Sequence, residues 1–275
     1  MEPVTYVKGH GTENDFVVLP DPDGRLTLTP TLVRALCDRR GGIGADGVLR
    51  VVRTAAAPAG APPGAEWFMD HYNADGSTAQ MCGNGIRLYA RYLLDAGLAA
   101  PGMLRIGTRS GVREVTAGAV GDVSVDMGRA AVLGPGWAVV GGRRLSGVQV
   151  DVGNPHLVCE VTDLDGWDLD RPPAVDRAVF PDGVNVELVA TVAAGHLAMR
   201  VGERGVGETR SCGTGAVAVA AAAAGGSGAS SRWTIDVPGG RLGVTLDSGT
   251  ARLTGPAVVV GAGVLDRRWL ALAGE

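Results

Sequence analysis

The chain has 275 residues, 45% of them hydrophobic, a composition typical of a folded globular protein whose core needs neither disulfides nor metals. Its 25 basic and 29 acidic residues give a formal charge of −4, and this balance argues against nucleic acid or an anionic membrane as the main partner. No segment reaches the roughly 18–20 apolar residues that span a bilayer, and no signal-peptide core stands at the beginning, so we expect a soluble cytoplasmic protein.

The predicted elements of the first half are short strands and two helices. A helix from Pro30 to Arg39 is indicated by Thr29 as its N-cap and by proline in its first turn. A second helix follows Cys82, because apolar residues recur at helical spacing and Gly97 can end it. The predicted strands are Asp15–Leu19, Gly47–Val52, Val112–Thr116 and Val123–Met127.

The second half is also predicted to consist of short strands and a helix. A helix is predicted from Ala216 to Ala224, and because it is apolar on every side it should be buried. The predicted strands are Val148–Val152, Val184–Val189, Leu242–Leu246 and Ala257–Val260. The chain as a whole is therefore predicted to be an α/β protein of the α+β type.

Three short sequence matches recur in the same order along the chain. They pair Gly11–Val18 with Gly153–Val158, Asp46–Val48 with Asp182–Val184, and Cys82–Gly85 with Cys212–Gly215, at offsets of 140, 136 and 130 residues. This order predicts a duplicated domain. We expect one half at 1–121 and the other at 122–264, with 265–275 returning to pack on the first half.

The four cysteines divide into two kinds. None lies in a CxxC pair, so neither a zinc site nor a thioredoxin site is expected, and no other metal site is predicted. Cys37 lies within a predicted helix and Cys159 within an apolar run, and we interpret both as buried core residues. Cys82 and Cys212 instead stand where a glycine-rich turn enters a helix.

The start of a helix favours acid–base chemistry by a thiol. The helix dipole and the unpaired N–H groups can lower the pKa of a thiol from about 8.5 to roughly 3.5–7.5. The glycines after each cysteine leave backbone N–H groups accessible to a carboxylate. If the two halves are related by a pseudo-twofold axis, the two thiols can meet in a cleft on opposite faces of one α-carbon, where one removes a proton and the other delivers one.

The alternative chemistry for inverting an amino acid uses pyridoxal phosphate bound to a lysine. Lys8 is the only lysine of the chain. A route without a cofactor is therefore favoured, although Lys8 by itself leaves the alternative open.

Several longer runs resemble the signatures of the diaminopimelate epimerase family. They are Gly11–Phe16, Asn73–Ser77, Met81–Arg87, Gly153–His156 and Glu203–Gly215. The resemblance implies two pseudo-symmetric halves, each a β-barrel-like sheet around a central helix. It also implies interconversion of LL- and meso-2,6-diaminopimelate without metal or pyridoxal phosphate, in lysine and peptidoglycan-precursor biosynthesis.

The resemblance also implies roles for individual residues. Cys82 would be the proton donor and Cys212 the proton acceptor in the LL-to-meso direction, and His156 would support a nearby thiol. The residues expected beside the reacting carboxylate are Gly83, Asn84, Gly213 and Thr214. Those expected at the distal amino-acid end are Asn14, Asn73, Asn154, Asn185, Glu203 and Arg204. Members of the family often carry glutamine at the position of Gly47, so that contact must be missing or replaced.

Three other functions stay open at this point. A related two-cysteine racemase or epimerase, such as one acting on proline, would not need a second zwitterion site. A non-catalytic binding protein on the same scaffold would tolerate the loss of either thiol. A redox sensor would use a disulfide between Cys82 and Cys212, which we instead expect as an inactivating oxidation product. The sequence leaves the oligomeric state open, and a homodimer is compatible with it.

Overall fold

The structure is a computed structural model in which residues 3–226 and 229–273 are described. The chain divides into two units. The first unit takes residues 1–125 and 256–275, and the second unit takes residues 126–255. Within the described ranges, no helix is long and apolar enough to cross a membrane.

The first unit is built from eight strands, a short 3-10 helix and three α-helices. The strands are β1 (Thr5–Gly11), β2 (Asn14–Pro20), β3 (Gly47–Arg53), β4 (Trp67–Asn73), β5 (Gly102–Thr108), β6 (Gly111–Ala117), β7 (Val123–Gly128, whose last residues belong to the second unit) and β18 (Val258–Val264). The helices are α1 (Pro30–Cys37), the 3-10 helix Thr54–Ala56, α2 (Gly83–Asp95) and α4 (Arg267–Ala273).

The second unit is built from ten strands and one α-helix. The strands are β8 (Ala131–Val140), β9 (Arg143–Asp151), β10 (Pro155–Glu160), β11 (Ala174–Val175), β12 (Asn185–Ala193), β13 (His196–Glu203), β14 (Gly207–Thr209), β15 (Ser231–Val237), β16 (Gly240–Asp247) and β17 (Thr250–Gly255). The helix is α3 (Gly213–Ala223).

Strand pairing follows one scheme in both units. In the first unit the order β18-β1-β2-β3-β4-β5-β6-β7 is antiparallel except for two parallel pairs, β2 with β3 and β4 with β5. In the second unit the order β8-β9-β10-β12-β13-β15-β16-β17 has its parallel pairs at the same two places. Since seven successive pairings agree in direction, the predicted two-half fold is confirmed.

A helix lies inside each sheet. Helix α2 contacts strands β1, β2, β3, β6 and β18, and helix α3 contacts strands from β8 to β17. The side chains of α3 are small and apolar, and Ala216 through Ala220 are fully buried, as predicted for a helix that is hydrophobic all round. Each central helix therefore has its first turn fixed by the surrounding strands.

The strand β18 belongs to the first unit. It pairs antiparallel with β1, so residues 256–264, which the sequence analysis placed in the second half, lie in the first unit instead. The backbone N–H of Leu265 donates to the carbonyl oxygen of Val4, and Trp269 donates through its indole to Gly41. The segment 265–273 thus packs on the first unit, and the last two residues of the predicted 265–275 segment lie outside the described residues.

Candidate active site

Cys82 is the N-cap of α2. Its backbone is extended, with φ −134° and ψ 122°, and its Sγ accepts a hydrogen bond from the backbone N–H of Gly85 at 3.4 Å. The first bond within the helix runs from Ile86 N–H to the carbonyl of Cys82. The N–H groups of Gly83 and Asn84 precede that bond, so they are the donors that a helix start offers to an anion.

Asn14 contacts this thiol from the neighbouring hairpin. The sulfur of Cys82 donates to Asn14 Oδ1 at 3.6 Å, and the side-chain amide of Asn84 donates to the same oxygen at 3.3 Å. Asn14 follows a two-residue turn in which Thr12 and Glu13 both have positive φ, 49° and 61°. A two-residue hairpin with this geometry is a type I′ turn, which is uncommon without glycine or asparagine.

Asp46 fixes the orientation of Asn14. Its Oδ2 accepts from the side-chain amide of Asn14 at 2.8 Å, which leaves the amide oxygen of Asn14 facing Cys82. Arg39 holds the other carboxylate oxygen of Asp46 at 2.7 Å and also binds Asp15. The side chain of Asn73, at the end of β4, donates to Ser77 at 3.0 Å.

Arg87 links helix α2 to the turn at Thr12 through hydrogen bonds inside the first unit. The residue is fully buried, and its guanidinium donates to the carbonyl of Gly83 at 3.1 Å and to Thr12 Oγ1 at 3.1 Å. Burial lowers the pKa of Arg87 to about 10, so it still carries its charge at neutral pH. This cation therefore stabilises both the turn before Asn14 and the first turn of α2.

Cys212 repeats the cap geometry in the second unit. It has φ −124° and ψ 116° as the N-cap of α3, and its Sγ accepts from the backbone N–H of Gly215 at 3.4 Å. Thr214 Oγ1 lies 3.4 Å from the same sulfur. The N–H groups of Gly213 and Thr214 again precede the first intrahelical bond, which Ala216 donates to the carbonyl of Cys212.

A chain of side chains leads from Thr214 into the core of the second unit. Asn154 Nδ2 donates to Thr214 Oγ1 at 3.5 Å, and Asn154 Oδ1 lies 3.1 Å from Nε2 of His156. The Nδ1 of His156 lies 2.7 Å from Oε1 of Glu187, and both side chains are fully buried. Because an amide oxygen only accepts, Nε2 of His156 carries a hydrogen in this arrangement.

The remaining predicted residues lie at the ends of strands β12 and β13. Asn185 Oδ1 accepts from the backbone N–H of Arg204 at 2.9 Å, and its amide donates to the carbonyl of Pro155 at 3.2 Å. Glu203 accepts from Thr209 at 2.5 Å, and the side chain of Arg204 is exposed. The second unit therefore connects Thr214, Asn154 and His156 to Cys212 through contacts, and the charge of Glu203 also acts on this thiol. Asn185 instead contacts the backbone of Arg204.

The acidity of Cys212 differs from the value predicted for a helix start. Burial raises the pKa of this thiol well above its ordinary value, and the carboxylates of Glu203 and Glu187 raise it further. The hydrogen bonds from Thr214 and Gly215 act in the opposite direction. The expected lowering of the thiol pKa is thus not found for Cys212, because burial outweighs the hydrogen bonds from Thr214 and Gly215.

Equivalent positions beneath the two helix starts carry different chemistry. The parallel ladders place Phe16 opposite Gly47 in the first unit and His156 opposite Asn185 in the second. Two residues further along the second strand of each pair, the first unit has Leu49 and the second has Glu187. The first turn of α2 therefore rests on an apolar pair, whereas that of α3 rests on a buried acid–base pair.

The same ladders correct one of the three sequence matches. In these ladders Gly47 is equivalent to Asn185, an offset of 138 residues. The sequence match pairs Gly47 with Gly183, so its register is wrong by two residues. A Cβ at Gly47 would lie 2.5 Å from the carbonyl oxygen of Tyr72. The glutamine that the family often has at this position does not fit the backbone of this chain.

Four residues that contact the site were missed by sequence reasoning. They are Thr12, Asp46, Arg87 and Glu187. Thr12 and Arg87 lie within the quoted motifs and could have been singled out, and Asp46 lies in a repeat match. Glu187 gave no signal, because its partner His156 is 31 residues away in the sequence.

Within residues 3–226 and 229–273, no group of three or more histidine, cysteine, aspartate or glutamate side chains is arranged to hold a metal ion. The described site residues thus offer thiols, amides, carboxylates, an imidazole and backbone N–H groups. Such a set can bind a zwitterionic amino acid and move protons.

Solved structures with the same fold include proteins of different activities. A phenazine biosynthesis protein of the PhzF family from Bacillus anthracis matches with a TM-score of 0.71 at 17% identity, over 97% of this chain and 100% of that one. A hydroxyproline epimerase from Agrobacterium vitis matches with a TM-score of 0.70 at 13% identity, over 96% of this chain and 91% of that one. At these identities the likeness shows the fold alone.

Sequence comparison is far more specific. The profile of the family described as diaminopimelate epimerase matches residues 6–133 and 148–260. The diaminopimelate epimerase of Thermobifida fusca is 54% identical over 265 residues, which cover 94% of this chain and 96% of that protein. On the family match and on this identity, the chain belongs to the diaminopimelate epimerase family.

Proposed function

We propose that this protein interconverts LL- and meso-2,6-diaminopimelate, in lysine and peptidoglycan-precursor biosynthesis, by a two-base mechanism without a cofactor. The observation that carries the proposal is the duplicated cysteine cap. Cys82 and Cys212 each cap the central helix of one unit, and each accepts a hydrogen bond from the glycine three residues later at 3.4 Å. Membership of the family supports the reaction, and the duplication supplies two equivalent acid–base groups.

In this mechanism the two thiols act on opposite faces of one α-carbon. A thiolate takes the α-proton while the opposite thiol gives its own proton to the carbanion, so the centre is inverted and the number of protons is conserved. In the LL-to-meso direction Cys212 accepts and Cys82 donates. The reverse direction exchanges the two roles.

The developing negative charge needs stabilisation by fixed donors. We assign this role to the backbone N–H groups of Gly83, Asn84, Gly213 and Thr214, which precede the first intrahelical bonds of α2 and α3. Losing one such donor typically lowers kcat by about 10²–10³-fold. The reacting carboxylate is thereby held next to both sulfurs.

The distal amino-acid end carries a second ammonium and carboxylate. The exposed guanidinium of Arg204 can bind the carboxylate with two parallel hydrogen bonds, and Glu203 can receive the ammonium. Asn14, Asn73, Asn154 and Asn185 supply amide donors and acceptors to the same ligand. A substrate without this second group, such as proline, would leave these partners unused.

The single lysine of the chain is engaged in the first unit. Lys8 forms an ion pair with Asp15 and donates to the carbonyl of Gly44. We therefore propose that it stabilises the loop carrying Asp46 rather than forming a Schiff base. Lys8→Arg, which keeps the charge but cannot form an imine, should retain epimerisation.

Solvent-deuterium incorporation tests the proposed function. The reduced, pyridoxal-free protein is incubated with LL-diaminopimelate in deuterium oxide, beside Cys82→Ala and Cys212→Ala. We expect the wild type to form the meso isomer with deuterium at one α-carbon, and each variant to lose inversion. Cys37→Ala is the matched control, because Cys37 is buried in the α1 core and has no proposed role.

The outcomes separate the alternative functions. Inversion of proline but not of diaminopimelate would replace the substrate assignment. Tight binding of diaminopimelate without any exchange, unchanged in Cys82→Ala, would instead identify a binding protein. Inversion that survives the loss of either cysteine would overturn the two-thiol mechanism.

We also infer a cytoplasmic location and propose that the active form keeps both catalytic cysteines reduced. All four cysteines are free thiols in the structure, which suits a reducing compartment. Fractionation of cells would test the location. Whether the protein is a homodimer would be tested by sedimentation of the purified chain.

A further inference from the structure

The two asparagines that approach the thiols turn opposite ends of their amides toward the helix starts. Asn14 presents its oxygen to Cys82 and Asn84, because its nitrogen is bound by Asp46 at 2.8 Å. Asn154 presents its nitrogen to Thr214, because its oxygen is bound by Nε2 of His156 at 3.1 Å. The two asparagines occupy equivalent places, two residues before Phe16 and His156.

The groups behind the asparagines fix these orientations. A carboxylate such as Asp46 only accepts hydrogen bonds, so it requires the N–H end of Asn14. Behind Asn154, the buried Glu187 contacts Nδ1 of His156 at 2.7 Å, which keeps the ring pointing Nε2 at the amide. The first unit has Leu49 where the second has Glu187, so the fold itself does not require a carboxylate there.

We propose that Asp46 and Glu187 are positioning residues that give the two thiols hydrogen-bond partners of opposite polarity. Asp46 holds an acceptor against Cys82 and so favours the thiol. Glu187, through His156 and Asn154, keeps the hydroxyl of Thr214 as a donor to Cys212 and so favours the thiolate, against the burial of that sulfur. The preference matches the donor and acceptor roles in the LL-to-meso direction, and in that respect it rests on the proposed function.

Other charged groups also act on the two sulfurs. At Cys82 they are the buried guanidinium of Arg87 and, across Asn14, the cluster of Asp46, Asp15 and Arg39. At Cys212 they are Glu203, Glu187 and His156. The test must therefore separate two effects on each thiol, a change in the orientation of a hydrogen bond and the removal of a charge. The variants below are chosen to separate them.

The test measures thiol acidity without substrate. Iodoacetamide alkylation of each cysteine is followed by mass spectrometry over a range of pH, and the midpoint of the rate profile is determined for Cys82 and Cys212. Midpoints report acidity, whereas a change of access would alter the plateau rate. Cys37 and Cys159 are buried in the hydrophobic cores of the two units and have no proposed role, so these two thiols serve as internal references.

Asp46→Asn tests the first thiol. In Asp46→Asn the orientation of the Asn14 amide is no longer forced. The pH midpoint for alkylation of Cys82 should therefore fall, with about five- to tenfold more alkylation at pH values below the midpoint. The midpoint of Cys212 should stay unchanged. Asn14→Ala removes the acceptor directly and must move Cys82 in the same direction. Asp23→Asn is the control, because Asp23 is half-exposed and bound only to Arg25 and Arg53 in the described structure.

Glu187→Leu tests the second thiol. Without the carboxylate, His156 no longer fixes Asn154. The midpoint of Cys212 should therefore lie above that of Glu187→Gln, which lacks the same charge, with about five- to tenfold less alkylation below the midpoint. The double change His156→Phe with Glu187→Leu copies the apolar pair of the first unit and should give the same midpoint as Glu187→Leu. Glu187→Gln can donate to Nδ1 of His156, so it keeps the orientation of Asn154 while it removes the charge that raises the pKa of Cys212.

The outcomes decide between orientation and charge. A fall of the midpoint of Cys82 in Asp46→Asn, and a midpoint of Cys212 that is higher in Glu187→Leu than in Glu187→Gln, support the proposal. If Glu187→Leu and Glu187→Gln lower the midpoint of Cys212 equally, Glu187 acts only as a charge and the proposal is overturned. Unchanged midpoints in all variants overturn it as well. Since no substrate is present, these results stand apart from failure of the epimerisation itself.

Discussion

His156 and Glu187 form a buried pair, with Nδ1 and Oε1 2.7 Å apart, at positions where the other half of the molecule has Phe16 and Leu49. The second carboxylate oxygen of Glu187 has no hydrogen-bond partner among the described residues. An incompletely paired buried carboxylate is costly, so its presence points to a role in the site rather than in folding.

Gly47 should not tolerate the side chain that the family often has there. Gly47→Ala and Gly47→Gln should each lower the free energy of unfolding by about 1–3 kcal/mol, because a Cβ would meet the Tyr72 carbonyl oxygen. Urea unfolding measures this loss. Gly261→Ala is the matched control, since a Cβ there would have no described heavy atom within 4 Å. A stable Gly47→Gln protein would show that the β3–β4 ladder can shift to admit the side chain.

His71 should make stability depend on pH. Burial and the nearby Arg109 lower the pKa of His71 from 6.5 to about 4. The unfolded chain therefore binds a proton that the folded chain does not, so stability is complete above pH 6.5 and falls as the pH drops toward 4, by about 3 kcal/mol. Unfolding free energies measured across this window should show the slope, and His71→Leu should flatten it. An equal slope in that variant would assign the effect to other groups.

Arg87 should be needed for both stability and turnover. Arg87→Leu leaves the carbonyl of Gly83 and the hydroxyl of Thr12 without their buried donor, which should cost about 2–4 kcal/mol of unfolding free energy. The strained turn before Asn14 should then loosen, so kcat should fall more than stability alone explains at temperatures where the variant is folded. Arg105→Leu, at an exposed position of β5, provides the comparison. Full activity in folded Arg87→Leu would contradict this role.

Asp70 should stabilise the first unit through buried ion pairs. It is fully buried and accepts from Arg50 at 2.8 Å, from Tyr72 at 3.2 Å and from Arg109. Asp70→Asn removes the charge between two arginines and should cost about 3–5 kcal/mol. Chemical denaturation gives the value, and Asp23→Asn, in an exposed ion pair, should change it by less than about 1 kcal/mol. Similar losses of unfolding free energy in the two variants would show that burial does not strengthen the ion pairs of Asp70.

The sequence predicted the features whose signals are local. The cysteine–glycine turns, the helical spacing after Cys82 and the apolar run from Ala216 placed both central helices, and Thr29 was found as the cap of α1, accepting from Leu32 at 3.1 Å. Helix α1 ends at Cys37 rather than at the predicted Arg39. The order of the repeated motifs was enough to predict two similar halves.

Several strands escaped prediction because tertiary contacts override their composition. Strand β4 contains Asp70 and His71, which are buried by pairing with arginine and by packing against Phe16. Strand β8 runs through Gly134 and Pro135, residues that indicate a turn when read alone. Likewise, the burial of Cys212 depends on strands distant in sequence, so the direction of its pKa could not be read from its own helix.

The duplicated cap has a kinetic consequence for a molecule that inverts a centre. In the proposed mechanism the two sulfurs hold their protons in the exchanged arrangement after each turnover, and the protein must return them before it accepts another molecule of the same isomer. Two identical halves would make the exchanged forms equal in energy. Because Glu187 and His156 stand on one side and Leu49 and Phe16 on the other, we expect the two forms to differ in energy and the free protein to return toward one of them between turnovers.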